Sequence, residues 1–144
     1  VDLSRSTICK IIGSAPSDND APRNFQGFRL HHLDLSHLRL RCDFSKADLT
    51  AVNFKGATLL GSKFWRARLD KVELDTETQL SPGTNFTGAS LRNVRLPAHF
   101  ELKQLQLNGA NLSDSVLDHC SMDCCILIDA SLEGCSIKGA HING

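Results

Sequence analysis

Between Cys42 and Leu74 a large apolar residue recurs at every fifth position: Phe44, Leu49, Phe54, Leu59, Phe64, Leu69 and Leu74. Two residues ahead of each stands a smaller one: Cys42, Ala47, Val52, Ala57, Ser62, Ala67 and Val72. An α-helix repeats every 3.6 residues and a strand every two, so a sustained period of five fits neither. A fixed short period belongs to a solenoid, whose units bury their apolar face only by stacking on neighbours. The architecture is therefore tightly constrained, whereas nothing in the period identifies a partner.

The same spacing extends in both directions. Leu30, Leu35 and Leu40 act as centres, with Phe28, Leu33 and Leu38 two residues before them, and one residue is missing before Phe44. Beyond Leu74 the segment DTETQLSPGTNF stretches the step to six around Leu80, and Ser81-Pro82-Gly83 has turn chemistry. Phe86, Leu91 and Leu96 resume the pattern, and Pro97 marks one more inserted residue. From Leu102 the register holds through Leu107, Leu112, Leu117, Met122, Leu127, Leu132, Ile137 and Ile142. Residues 25–144 thus form one repeat domain of about 23 units.

Residues 1–24 lack the period. Leu3 to Ile12 reads as a short helix with Ile8, Ile11 and Ile12 as an apolar patch, and Gly13 to Pro22 reads as loop. This segment is expected to be a cap or a linker, since a solenoid's first coil exposes both backbone and core.

The 144 residues are enough for one domain, and 16 basic residues balance 16 acidic ones. That balance removes the simplest electrostatic case for nucleic acid or a membrane surface. No run approaches the length of a transmembrane helix, and no signal-peptide core is present. Of the six cysteines, Cys42, Cys120, Cys125 and Cys135 fall at the small inward position, where a thiol behaves as a small hydrophobe. Cys9 and Cys124 do not. A secreted disulfide framework is the alternative; the register favours a reducing compartment.

The units ADLTA, GASLR, GANLS and DASLE resemble the pentapeptide-repeat family, whose consensus is A(D/N)LXX. The resemblance implies an all-β fold: a right-handed quadrilateral β-helix with five residues per side, four sides per coil and nearly six coils. In that family the central residue and the one two before it point inward. Four-unit steps then stack Phe44, Phe64, Phe86, Leu107 and Leu127 in one core ladder, with Phe54 on the opposite side above Leu35. At about 4.8 Å between stacked strands the rod would be roughly 27 Å long. Two departures stand out: the small position often holds Leu, Val, Cys or Ser, and the residue before the centre is often not Asp or Asn.

Catalysis finds no support. There is no phosphate-cradling loop, no HExxH, no GxSxG and no zinc-finger pair of cysteines. His119-Cys120 with Cys124-Cys125 has the composition of a metal cluster, but in register Cys120 and Cys125 point inward on successive sides while His119 and Cys124 sit at corners. His31, His32 and His37 near the first coil read as surface histidines. A Cys124–His119 nucleophile pair needs an oriented pocket that a filled β-helix lacks. No catalytic residue, metal or cofactor is expected.

The outward positions carry more information. Trp65, the only tryptophan, follows Phe64 and is expected to face solvent, with Lys63, Arg66, Arg68 and Lys71 around it. Ile126 and Ile128 flank Leu127 on the same side three coils on. Trp65, Lys63, Arg66, Arg68, Ile126 and Ile128 are the candidate partner-binding residues, since an exposed Trp is a typical anchor for another protein. Charge is also uneven: residues 1–72 carry 12 basic and 7 acidic side chains, residues 73–144 carry 4 and 9. Asp114, Asp118, Asp123, Asp129 and Glu133 cluster in the negative half, and such a dipole can orient a partner.

These features make a non-enzymatic protein–protein interaction module the leading expectation. The family resemblance includes bacterial type III secreted effectors, some of which pair the β-helix with a ubiquitin-ligase domain. The start at Val1, and Ile142 in register two residues before the end, suit a domain of a longer effector-type protein; a homodimer through the C-terminal coil is the rival. The expected location is the cytoplasm, or a host cell for a secreted effector. The second functional reading is the family's DNA-mimicking gyrase inhibitor, which acts as a dimer and carries a long acidic surface; here KFWRARLDK interrupts any such stripe.

Overall fold

The computed structural model describes residues 3–12 and 21–143. Helix α1, Arg5–Ile12, begins where the Ser4 hydroxyl accepts the Thr7 amide at 3.2 Å, a typical N-terminal cap. Ile8 and Ile12 enter the main core, and Arg5 donates to the backbone carbonyls of Asp34 and Ser36. Ile11, expected in the same patch, is instead 44% exposed, because its position turns it off the face that Ile8 and Ile12 share. Most of the expected loop that follows, residues 13–20, lies outside the described residues.

From Arg23 onward the chain winds as a parallel solenoid. The short strands β1, Arg23–Asn24, and β2, Cys42–Asp43, pair in parallel, and single parallel bridges continue the pattern along the chain. Asp43 pairs with Lys63, Asp48 with Arg68 and Asn53 with Glu73, each 20 residues on. Most centres donate their N–H to the residue just before the next coil's centre, as Phe44 does to Lys63 at 2.8 Å and Leu49 to Arg68 at 2.7 Å. Few residues per side leave the strands too short to be extended runs, so the ladder is built of isolated rungs.

The corners explain the period of five. The small residue donates its N–H to the preceding centre's carbonyl, as Ala47 does to Phe44 at 3.0 Å, closing a turn in which the third residue has positive φ. That is the pattern of a type II turn. Glycine is the low-strain choice there, yet Lys46, Ala51, Arg66 and His119 occupy the same left-handed position. The turn alone therefore does not dictate glycine. At Gly56 and Gly139 a second constraint does: a Cβ would lie 2.4 Å from the His37 ring and 2.5 Å from the His119 ring, which fold over them.

The Asp or Asn before the centre also has a local role. Its side-chain oxygen accepts the N–H two residues on: Asp34 from Ser36 at 3.0 Å, Asp48 from Thr50 at 3.1 Å, Asn53 from Lys55 at 3.0 Å and Asn111 from Ser113 at 3.0 Å. Such turns satisfy a corner amide that the ladder does not use.

Inside, the centres stack in columns. The rings of Phe25, Phe44, Phe64 and Phe86 follow one another at 5.8, 5.5 and 4.9 Å, nearly parallel, and Leu107 and Leu127 continue the hydrogen-bonded column. Phe25 extends it one coil below Phe44. Phe54 stands above Leu35 in the ladder and meets Phe44 edge-on across the core at 6.3 Å. Phe28, Leu33 and Leu38, too large for the small position, are only half-buried.

Hydroxyls and thiols at the small position have a further role. The buried Ser62 donates to the Leu40 carbonyl at 3.0 Å and accepts the Cys42 amide at 3.1 Å, bridging the corner where one residue is missing. Ser115 does the same between Leu91 and Val94. The Cys125 and Cys135 thiols donate to the carbonyls of Leu102 and Leu112, so they satisfy polar groups as well as filling space. All six cysteines are free.

Three outcomes follow from this construction. Phe64→Ala removes a ring stacked on both sides and should lower stability by about 3–5 kcal/mol, read as a lower urea midpoint. Burial pushes the Cys42 thiol up to about 12, so at pH 8 iodoacetamide should modify the exposed Cys9 and Cys124 and spare Cys42 in the native protein. Burial pushes the Asp48 carboxyl up, but the Thr50 hydroxyl and amide and the Arg68 guanidinium outweigh it, so its pKa lies below the usual value. Its stabilisation is present above the unfolded pKa and is lost as pH falls through the folded one. Asp48→Asn should therefore flatten the acid side of a stability-versus-pH profile measured by urea titration below about pH 4.

Candidate functional site

Period and corner geometry together place one aromatic residue on the positive half of the rod. Trp65 follows the Phe64 centre, so its side chain must leave the core. It is only half-buried rather than fully open, because two cations cover its faces. The Lys46 ammonium lies 5.1 Å from the ring centroid and the Arg66 guanidinium 4.6 Å. Lys46 comes from the coil below, where its N–H donates to the Trp65 carbonyl at 2.8 Å. Arg66 occupies the left-handed corner and its stem passes over Gly88, where a Cβ would stand 3.1 Å away.

The other candidates take different positions. Lys63 is exposed and its ammonium is 4.0 Å from the Asp43 carboxylate, one rung below. Arg68 is exposed and forms the rung above Asp48. Ile126 and Ile128 are 43% and 66% exposed and lie in the columns of Lys63 and Trp65, reached through Asn85 and Gln106 and through Thr87 and Asn108. Three rungs put them roughly 14 Å up the same side. Trp65, Arg66 and Lys63 thus form one cluster, and the isoleucines a second, separate apolar spot. Sequence reasoning did not include Lys46; the signal was its place 19 residues before Trp65, one coil away.

The histidine and cysteine candidates do not converge. His119 and Cys124 are both left-handed corner residues, Cys120 is buried, and Cys125 is half-buried with its thiol turned to Leu102. Among the described residues no group of three or more His, Cys, Asp and Glu side chains is arranged to hold a metal ion. The acidic half is also internally engaged: the Ser136 hydroxyl and the Lys138 amide bond the Asp118 carboxylate and hold its pKa below the usual value. Within the core, apolar side chains including Phe54, Phe64 and Leu91 leave only about 40 Å³ unfilled, far below a ligand's volume. Among the described residues no helix is long and apolar enough to cross a membrane.

Comparison with known proteins agrees with this geometry. Eight copies of the pentapeptide repeat are recognised over residues 40–75 and 101–144, more than half of the chain. No curated protein matches the sequence. Among solved structures, the pentapeptide repeat protein Rfr23 of the cyanobacterium Cyanothece 51142 is 20% identical over 84% of this chain and 88% of its own, with a TM-score of 0.33. HetL of Nostoc sp. strain PCC 7120, a pentapeptide repeat protein involved in heterocyst differentiation regulation, is 20% identical over 82% and 73%, at 0.29. A trypsin-treated form of QnrB1, a plasmid-mediated fluoroquinolone resistance protein, is 17% identical over 84% and 78%, at 0.39. None of the three bears on what this chain does. The repeat itself decides its membership: this chain belongs to the pentapeptide-repeat family, whose fold is a right-handed β-helix.

Proposed function

We propose that the chain is a non-enzymatic protein–protein interaction module, a rigid rod of nearly six four-sided coils serving within a larger bacterial effector-type protein. The observation that carries this reading is the Trp65 cluster. A rod whose interior is filled by its own side chains has only its surface to offer, and among the described residues Trp65 with Lys46, Arg66 and Lys63 is the place where an aromatic face and several cations meet. Trp and Arg are the residues most often found as interface anchors. The cations favour a partner surface rich in carboxylates, which would also orient its approach.

The DNA-mimic reading has less behind it. A mimic needs a continuous acidic stripe, but the outward columns mix signs: Arg29, Asp48, Arg68 and Ser90 follow one another on one side, and Asp34, Asn53, Glu73 and Arg95 on another.

The test uses the intact chain as bait in a host-cell extract, with Trp65→Ala and Arg66→Glu as paired baits. A true partner, once purified, should bind each variant at least about tenfold more weakly, with unchanged circular dichroism. Equal titration curves for wild type and both variants would remove this surface from the reading.

A further inference from the structure

The coils with centres Phe25 to Leu80 form a lower block and those with centres Phe86 to Ile142 an upper one. Within each block the ladder runs on all four sides. In the lower block Phe44 donates to Lys63, Leu49 to Arg68, Phe54 to Glu73 and Leu59 to Gln79. In the upper block Phe86 donates to Gln106, Leu91 to Asn111, Leu96 to Val116 and Leu102 to Ser121.

At the seam between the blocks the bonds are confined to one edge. Phe64 donates to Asn85 at 3.2 Å, Arg66 to Thr87 at 2.9 Å, Leu69 to Ser90 at 2.7 Å, Ser90 to Ala67 at 2.9 Å and Lys71 to Arg92 at 2.9 Å. The Phe64 and Phe86 rings, 4.9 Å apart and within 4° of parallel, stack beneath the same edge. Elsewhere along the seam, the amides of Leu74, Leu80, Asn85, Arg95 and Glu101 make no ladder bond among the described residues. Glu73 and Arg95 remain paired there without a hydrogen bond of good geometry, and Lys63 with Asn85 and Gln79 with Glu101 are not paired at all.

The seam widens away from its bonded edge. Next to that edge, Lys71, Leu74 and Arg95 border a cleft of about 310 Å³; on the opposite side, Leu60, Leu80 and Glu101 border one of about 580 Å³. The centres Leu74, Leu80 and Leu96 are only half-buried, whereas Leu59 and Leu117 in the same columns are fully buried. The cause is in the sequence. The steps from Leu74 to Leu80, Leu80 to Phe86 and Leu96 to Leu102 are six residues long, while Phe64 to Leu69 to Leu74 and Phe86 to Leu91 to Leu96 keep five. Every extra residue at the seam therefore lies off the bonded edge, and the two coils superpose only where both keep the period.

We propose that this seam is a hinge. Its axis is the bonded edge, residues 64–71 against 85–92, and its mouth is the side of Leu80 and Glu101. Opening or closing it breaks no ladder bond on the unbonded sides, and the bonded edge need only twist. Each block keeps the stiffness of a complete ladder, so the module is two short rods joined along one edge. Hinges of this kind move on the μs–ms scale. The motion leaves the Trp65 cluster intact, because Lys46, Lys63 and Arg66 all belong to the lower block. It reorients Ile126 and Ile128, which belong to the upper block, so the two surface spots are carried on separate bodies. The hinge does not depend on either spot binding a partner.

The experiment aligns the upper block magnetically, with a rigid lanthanide tag on the exposed Cys124 thiol of a Cys9→Ser variant, and measures amide dipolar couplings over the whole chain. With a hinge, the alignment tensor fitted to the lower block should be smaller than that of the tagged block by roughly 1.2-fold or more. Amide exchange on the untagged protein tests the axis. The Leu80 and Glu101 amides should exchange at least about tenfold faster than those of Leu69 and Ser90. Equal tensors in the two blocks, or equal protection of the two pairs of amides, overturns the proposal.

Discussion

The parallel ladder between coils is the constraint on which everything else rests. A pentad has too few residues to bury itself, so its inward pair finds a partner only in the coil above and below. The ladder fixes the separation of those coils, and that separation lets the Phe25, Phe44, Phe64 and Phe86 rings stack almost face to face. Ring stacking in turn requires each coil to contain nearly the same number of residues. A step of four or six must therefore be absorbed somewhere, and the molecule does so in two ways. At Leu40 to Phe44 the Ser62 hydroxyl bridges the irregular corner and the column above is undisturbed. Around Leu80 nothing bridges it, and the ladder parts on two adjacent sides, between Lys63 and Asn85 and between Gln79 and Glu101.

Much of this was legible in the sequence because a period of five leaves little freedom. The inward pairs, the phenylalanine column and the opposite placement of Phe54 and Leu35 follow from counting alone. What counting cannot supply is what a side chain does once it is placed. Cys125 and Cys135 read as small hydrophobes, yet their thiols donate to carbonyls one coil below, a bond between residues 23 apart. Glycine at a corner reads as a turn requirement, while the neighbouring His37 and His119 rings supply much of the reason for it at Gly56 and Gly139. Trp65 reads as open to solvent, but Lys46, one coil away, lies over its ring. Each miss has the same origin: the contact is to the next coil, and a linear reading sees only the unit.

The outward face shows why net charge is a poor guide here. The total is zero, and the two halves differ in sign, but opposite charges also follow one another within single columns. Asp43 lies beneath Lys63 and Asp48 between Arg29 and Arg68, so these two carboxylates have opposite charges about one strand spacing away. Such exposed pairs contribute little to stability, and their effect is on what the surface repels. A column of like charges would repel itself along the whole rod. The cations around Trp65 are partly exempt, because Lys46 and Arg66 lie against an aromatic face rather than a carboxylate. They remain able to meet a second acidic surface.

A regular solenoid offers every partner the same repeated wall, and specificity has to come from where the repeat fails. Only two kinds of failure survive the packing constraint. One is an outward substitution that leaves the ladder intact, as at Trp65, Ile126 and Ile128, and it changes the chemistry of the wall without changing its shape. The other is a change of coil length, which the core tolerates while some of the side columns remain bridged. The stretch around Ser81-Pro82-Gly83 and Pro97 keeps two rungs, Arg68 to Ser90 and Glu73 to Arg95, while Lys63 and Asn85, and Gln79 and Glu101, form no bridge. It therefore gives the rod a concave feature with free backbone hydrogen-bonding groups, which no outward substitution can produce. Shape and main-chain chemistry at that break, and side-chain chemistry at Trp65, are the two independent ways this chain departs from its own repeat.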